Sequence, residues 1–296
     1  MSKRPSEDTS ESSKRFRAAI DESTDDLSCP ITHELPLDPV FAEDGNVYER
    51  TAIERWLAQQ QRSPVTNLRM GTRVVAATRI KSLIERMVRS DALPEDKASG
   101  WKRRMKEQEE VEKTRRAADA GDAASALNMA RWLESGLQGL AKDLKKALAY
   151  YEKAADAGDA TAMGFLCSRY YYGWSDGENK VLAGNFVLAL RWAAAAASLG
   201  NGPGMGVMSL LYRRGMPGLP VDEGMAFRWS VKAEKTGVLN SLGLCELGNM
   251  YARGQGTAVD MAMAEAMMRK AIAKNSARGS GVADARAWLA ANGLPP

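Results

Sequence analysis

The sequence predicts a small α+β domain, a hairpin with helices, joined by a helix to an all-α solenoid of helix–turn–helix repeats. Three observations carry this. Residues 38–48 give strand, turn and strand signals in succession. Residues 101–118 are dense in Lys, Arg, Glu and Ala, all strong helix formers. From residue 119 onward glycines recur at near-constant intervals, with the same residue types at fixed offsets before each.

Length and composition bound the rest. A chain of 296 residues accommodates two domains, or one small domain and an array. Hydrophobic residues at 45% and charged residues at 26% fit a soluble globular protein. The 41 Lys and Arg against 37 Asp and Glu leave a net charge of +4, too balanced for the concentrated basic stripe of a nucleic-acid binder. A single His rules out His-based catalytic or metal constellations. Three Cys are too few for a disulfide framework. The absence of any apolar run near ~18 residues argues against a membrane span, and the polar first thirty residues against a secretory signal. The expected setting is cytoplasmic and reducing.

Residues 1–24 are rich in Ser, acids and bases and bury too little to order themselves. Lys3-Arg4 and Lys14-Arg15-Phe16-Arg17 are spaced like a bipartite nuclear import signal, which makes the nucleus a second candidate compartment. The plainer reading is a solvated tail.

Residues 25–90 form the small domain. Asp38–Phe41 and Val47-Tyr48 flank Glu43-Asp44-Gly45-Asn46, whose Asp-Gly pair supplies the left-handed position of a tight hairpin. A helix over Ala52–Gln61 presents Ile53, Trp56 and Leu57 on one face. Ser63–Asn67 is a loop, and Thr78 caps a last helix with the stripe Ile80, Leu83, Ile84 and Met87. Pro94 interrupts the chain, and residues 95–118 follow as a connecting helix supported by the pairs Glu109–Lys113 and Glu112–Arg116.

Residues 119–296 repeat about four times, then close with a half-repeat near 282–291. Gly121, Gly158, Gly200 and Gly237 stand 37, 42 and 37 residues apart, with Asn275 as a fifth member. Ala precedes each by four (Ala117, Ala154, Ala196, Ala233, Ala271) and precedes the last four by eleven (Ala147, Ala189, Ala226, Ala264). Asp143, Asn185, Asp222 and Asp260 read as N-caps of second helices, whereas Gly136, Gly173, Gly215 and Gly254 end first helices. Large residues (Tyr150, Trp192, Trp229, Met267; Tyr170, Tyr212, Tyr251) alternate with small ones, so that neighbouring helices interdigitate closely.

The string Leu27-Ser28-Cys29-Pro30-Ile31-Thr32-His33-Glu34-Leu35 comes first, then Asp38-Pro39-Val40 and Gly45-x-x-Tyr48-x-Arg50-x-x-Ile53-Glu54-x-Trp56-Leu57. Ser63-Pro64-Val65-Thr66 and Ile80-Lys81-Ser82-Leu83-Ile84 follow. These blocks, in order, resemble the U-box domain of ubiquitin ligases. The array resembles Sel-one-like repeats, relatives of tetratricopeptide repeats. A related zinc RING needs eight Cys or His ligands, whereas this segment offers Cys29 and His33 alone, so no zinc is expected. An apolar core of Val40, Tyr48, Ile53, Leu57, Ile80, Leu83 and Ile84 takes its place.

The resemblance implies a shallow groove that docks a ubiquitin-charged conjugating enzyme, with no cofactor and no covalent intermediate on this chain. It places Ile31 and His33 on the first loop, Trp56 on the helix, and Pro64 and Val65 on the second loop. Each anchor also has a packing reading: Ile31 in the core, Pro64 as a rigid turn, Trp56 as helix packing. Asn67 stands where some members place an Arg that clamps ubiquitin. Glu49 and Ala76-Ala77 also depart from the family pattern and remove capping or turn devices. These departures keep open a non-catalytic scaffold with a degenerate U-box. Among cysteines, Cys29 is the family's structural one, and Cys167 and Cys245 sit on first helices as small hydrophobes. The residues after Gly173 hold an irregular loop, and Tyr171, Tyr172 and Trp174 are its freer aromatics and candidate contacts for a protein substrate or adaptor. The alternative is that Trp174 packs the loop onto its own repeat. A homodimer is compatible with both parts.

Overall fold

The computed structural model describes residues 24–177, 179–274 and 280–295. The two basic clusters and Asn275 lie outside the described residues.

In the N-terminal unit, β1 (Pro39–Phe41), β2 (Val47–Glu49) and β3 (Val75–Ala76) form an antiparallel sheet in the order β2-β1-β3. Val40 pairs with Tyr48 and Ala76, and Phe41 with Val47 and Val75. The hairpin turns at Gly45, whose φ of 78° is the left-handed conformation the Asp-Gly pair supplies. The third strand is two residues long and carries no alternating pattern, so the sequence gives no signal for it.

Helix α1 spans Arg50–Gln59, two residues earlier at each end than the apolar face alone suggests. Helix α2 spans Thr78–Arg89, with Ala77 rather than Thr78 at the N-cap and no side-chain cap. Glu49 stands at the N-cap of α1 without capping it. Its carboxylate instead accepts the backbone N–H groups of Leu37, at 2.7 Å, and Asp38, at 3.4 Å. The expected lost device at Glu49 is therefore a bond made elsewhere: the longer side chain reaches the incoming strand.

The expected single core is two clusters. Val40, Tyr48, Ile53 and Leu57 pack with Cys29, Ala42 and Met70. Ile84 and Val88 pack with Leu35 and with Leu93, Ala98 and Trp101, while Ile80 is partly buried against them and Leu83 is half-buried. Trp101 and Ala98 belong to helix α3, Glu95–Asp119. The helix expected as a connector thus fills a core at its first turns. The N-terminal unit runs to Val111, and the second unit begins at Glu112.

The second unit is the helical array. Its first helices are α4 (Ala123–Ser135), α6 (Ala160–Tyr172), α8 (Gly202–Arg214) and α10 (Ser241–Arg253). Its second helices are α5 (Leu144–Asp156), α7 (Phe186–Ser198), α9 (Glu223–Lys235) and α11 (Met261–Ala273), and α12 (Ser280–Ala291) closes the array. Asp143, Asn185, Asp222 and Asp260 each cap a second helix by accepting the N–H three residues on. The same four residues donate their own N–H to the carbonyls of Leu133, Tyr170, Tyr212 and Tyr251. One bond per repeat therefore ties the two helices of a unit together. Ala147, Ala154, Ala189, Ala196, Ala226, Ala233, Ala264 and Ala271 are all 0% exposed, so any larger side chain there pushes helices apart. A second cap series, Asp122, Asp159, Asn201 and Asn240, starts the first helices. In the first repeat Tyr151, not Tyr150, fills the buried aromatic position.

Among the described residues no helix is long and apolar enough to cross a membrane.

Candidate functional site

The first loop closes on itself. Cys29 donates its N–H to the carbonyl of Glu34 at 2.9 Å, and His33 donates to the carbonyl of Cys29 at 2.8 Å. His33 sits at φ 57°, exposed, at the apex. Ile31 is half-buried and packs against the Val40–Tyr48–Ile53 cluster. Trp56, on α1, packs against that same cluster and is half-buried. Ile31 and Trp56 therefore each pack on the core and keep part of the side chain exposed, which is compatible with either reading.

The second loop is held by two tethers. Trp56 Nε1 donates to the carbonyl of Arg62 at 2.9 Å, which fixes the loop's entry to α1. Ser63 Oγ donates to Asp44 Oδ2 at 2.5 Å and accepts the N–H groups of Val65 and Thr66. Tyr48 OH donates to the same Asp44 oxygen at 2.8 Å, so the hairpin turn, a strand and the loop meet at one carboxylate. Burial pushes the Asp44 carboxyl up, but hydrogen bonds from Ser63, Tyr48 and Asn46 outweigh it and hold the group below its ordinary value. The loop closes through Ser63 N–H to Leu68 O and Asn67 N–H to Ser63 O. It presents Pro64 half-buried, Val65 54% exposed and Leu68 70% exposed. Asn67 is exposed at φ 57°, and its carbonyl accepts from Arg62 Nη1. Sequence reasoning missed Asp44, Ser63 and Leu68. The Asp-Gly of the turn pointed to backbone geometry, and nothing in its spacing showed that the Asp side chain reaches a loop nineteen residues away.

Cys29 is fully buried. Burial pushes the Cys167 thiol up to about 12, and burial together with the nearby Asp284 pushes Cys245 up to about 11, so neither supplies a thiolate. Among the described residues no group of three or more His, Cys, Asp or Glu is placed to hold a metal ion.

The aromatic trio of the array divides. Trp174 is 7% exposed, which corrects its placement among the freer aromatics. The segment after Gly173 is a strand pair, β4 (Trp174–Asp176) and β5 (Asn179–Leu182), rather than an irregular loop. Trp174 meets Phe165 edge-on at 5.4 Å beneath the Arg169 guanidinium, and Phe165 stacks on Tyr151 at 3.8 Å. Tyr171 is half-buried against Phe186. Tyr172 is 71% exposed and borders a cavity of about 280 Å³ with Gly202, Gly206, Leu242 and Glu246.

A family model for the U-box domain matches residues 24–91, and one for the Sel1 repeat matches residues 123–159, 160–201, 204–235 and 241–276. The chain therefore carries a U-box domain followed by four Sel1 repeats. It is 45% identical over 64 residues to the human "WD repeat, SAM and U-box domain-containing protein 1", a match covering 21% of this chain and 13% of that protein. It is 34% identical over 77 residues to the "E3 ubiquitin-protein ligase SPL11" of Oryza sativa subsp. japonica, covering 25% of this chain and 11% of that one. The chain thus spans a small fraction of the length of these relatives. A solved Sel1 repeat protein from Oxalobacter formigenes superposes with a TM-score of 0.46 at 23% identity, over 60% of this chain and 68% of that one.

Proposed function

We propose that the chain is a ubiquitin ligase whose U-box docks a ubiquitin-charged conjugating enzyme and whose repeats hold a protein substrate or adaptor. The observation that carries this reading is the Trp56–Arg62 hydrogen bond, which holds the apolar second loop beside the helix that packs, with Ile31, on one core cluster. Ile31, Trp56, Pro64 and Val65 supply apolar anchors around a small centre, and His33 makes one edge polar. Transfer then proceeds by proximity and by restraint of the thioester complex, with no nucleophile from this chain. Asn67 occupies the position of the ubiquitin clamp and offers hydrogen bonds without the bidentate fork of an Arg.

In the array, Tyr172 is the substrate-facing aromatic and Tyr171 braces it, with ring centroids 4.8 Å apart. Trp174 belongs to the repeat's own packing. Autoubiquitination by the full chain against a panel of conjugating enzymes tests the reading, with Ile31→Ala as the control that should lose transfer while staying folded. A folded wild-type chain that transfers ubiquitin from no member of the panel would favour the scaffold instead.

A further inference from the structure

We infer that Arg104 and Trp101, which lie beyond residues 24–91, are positioning residues for the first docking loop. This rests on the conjugating-enzyme reading above. Three consecutive carbonyls leave the loop on its returning arm, and each has a different donor. Glu34 O accepts from Cys29 N–H within the loop. Leu35 O accepts from Arg104 Nη2 at 2.7 Å, and Pro36 O accepts from Trp101 Nε1 at 3.3 Å. Arg104 Nη1 also pairs with the Glu34 carboxylate at 3.2 Å. The guanidinium fork thus bridges two adjacent residues of the arm, which a lysine's single ammonium cannot do in the same geometry.

The next two backbone groups are held by a different element. Leu37 N–H and Asp38 N–H both donate to the Glu49 carboxylate, at the start of the helix that carries Trp56. Residues 34–38 are therefore pinned between the base of α1 and the first turns of α3, and the loop bearing Ile31 and His33 projects from this pinned segment. Where Ile31 stands relative to Trp56 follows from both clamps.

Arg104 is a poor choice if packing is its whole task. Its Nε is buried and has no hydrogen-bond partner, a penalty that a methionine of similar reach avoids. Its two Nη atoms are what that penalty retains. Trp101, 6% exposed, fills the second core cluster with its ring and uses its single N–H on the arm.

The test uses the full chain and the conjugating enzyme that the panel selects. Arg104→Ala and Trp101→Phe, the second of which keeps an aromatic ring in the core, should raise the KM for the charged conjugating enzyme at least fivefold. They should leave kcat at saturation within twofold. Amide exchange at Cys29 and His33 should quicken at least tenfold in both variants, measured without any conjugating enzyme. Arg104→Lys should recover part of the KM. A merely structural role lowers kcat through loss of folded protein and leaves the KM alone. Unchanged exchange at Cys29 and His33 in Arg104→Ala overturns the proposal whatever happens to transfer. An unchanged KM there, with Ile31→Ala still inactive, overturns it and leaves the groove reading standing. If Ile31→Ala also transfers normally, the groove reading falls and this positioning role with it.

Discussion

Trp56 Nε1 donates a 2.9 Å hydrogen bond to the carbonyl of Arg62, so one side chain both packs on the core of the small domain and fastens the second loop. Trp56→Phe separates these roles, since it keeps an aromatic ring on the core and removes the tether. We expect single-turnover ubiquitin discharge to fall about tenfold in Trp56→Phe, on the scale of one interface hydrogen bond and its ordering effect, with helicity unchanged. Ile31→Ala and Pro64→Ala should lose more, because each removes an anchor outright. Wild-type discharge in Trp56→Phe alongside an inactive Trp56→Ala would assign the role to the ring alone.

Asp44 gathers Ser63, Tyr48 and the Asn46 amide on one carboxylate. Asp44→Asn should destabilise the N-terminal unit by about 2 kcal/mol, or roughly 10 °C, because hydroxyls lose a charged acceptor. The Asp44 carboxyl is held below its ordinary value in the folded state, against the upward push of burial. Its contribution is therefore complete above the ordinary carboxylate range and is lost as the pH falls through the folded value. The wild-type advantage over Asp44→Asn should shrink as denaturation is followed downward from pH 7 to below about 4. An advantage that stays constant over that range would remove Asp44 as the linked group.

Asn67 sits in the left-handed region, at φ 57°, where Asn is tolerated and Arg is strained by about 1 kcal/mol. Asn67→Arg should lower the melting temperature of the N-terminal unit slightly. It should raise single-turnover discharge without changing affinity for the uncharged conjugating enzyme, because the added fork acts on ubiquitin. A folded variant with no gain in discharge counts against the clamp position.

Trp174 and Tyr172 are two residues apart and should behave oppositely. Trp174→Ala removes a buried ring from the Phe165–Arg169–Tyr151 stack and should destabilise the array by about 3–5 kcal/mol. Tyr172→Ala, at an exposed position, should stay within about 0.5 kcal/mol of wild type yet weaken capture of a repeat-bound partner. Calorimetry on both variants with matched pull-downs checks this. A melting temperature unchanged in Trp174→Ala would return that side chain to the surface.

Much of this protein was legible locally. The repeat, its caps at Asp143, Asn185, Asp222 and Asp260, and its small-residue columns are sequence facts because helix capping and close approach demand particular residue types at fixed offsets. The hairpin at Asp44-Gly45 and the apolar face of α1 were legible for the same reason. Folding decided what depends on residues distant in sequence. Glu49 looks like a lost cap, but its carboxylate reaches Leu37 and Asp38, which only the strand pairing brings near. Trp174 looks like a free loop aromatic, but the β4–β5 pair turns it onto Phe165. Trp101 and Arg104 look like part of a charged connector, yet Trp101 completes a core and both donate hydrogen bonds to backbone carbonyls some 65 residues earlier. A periodic pattern specifies how a segment folds, but which long side chain meets which distant backbone group is set when the elements pack.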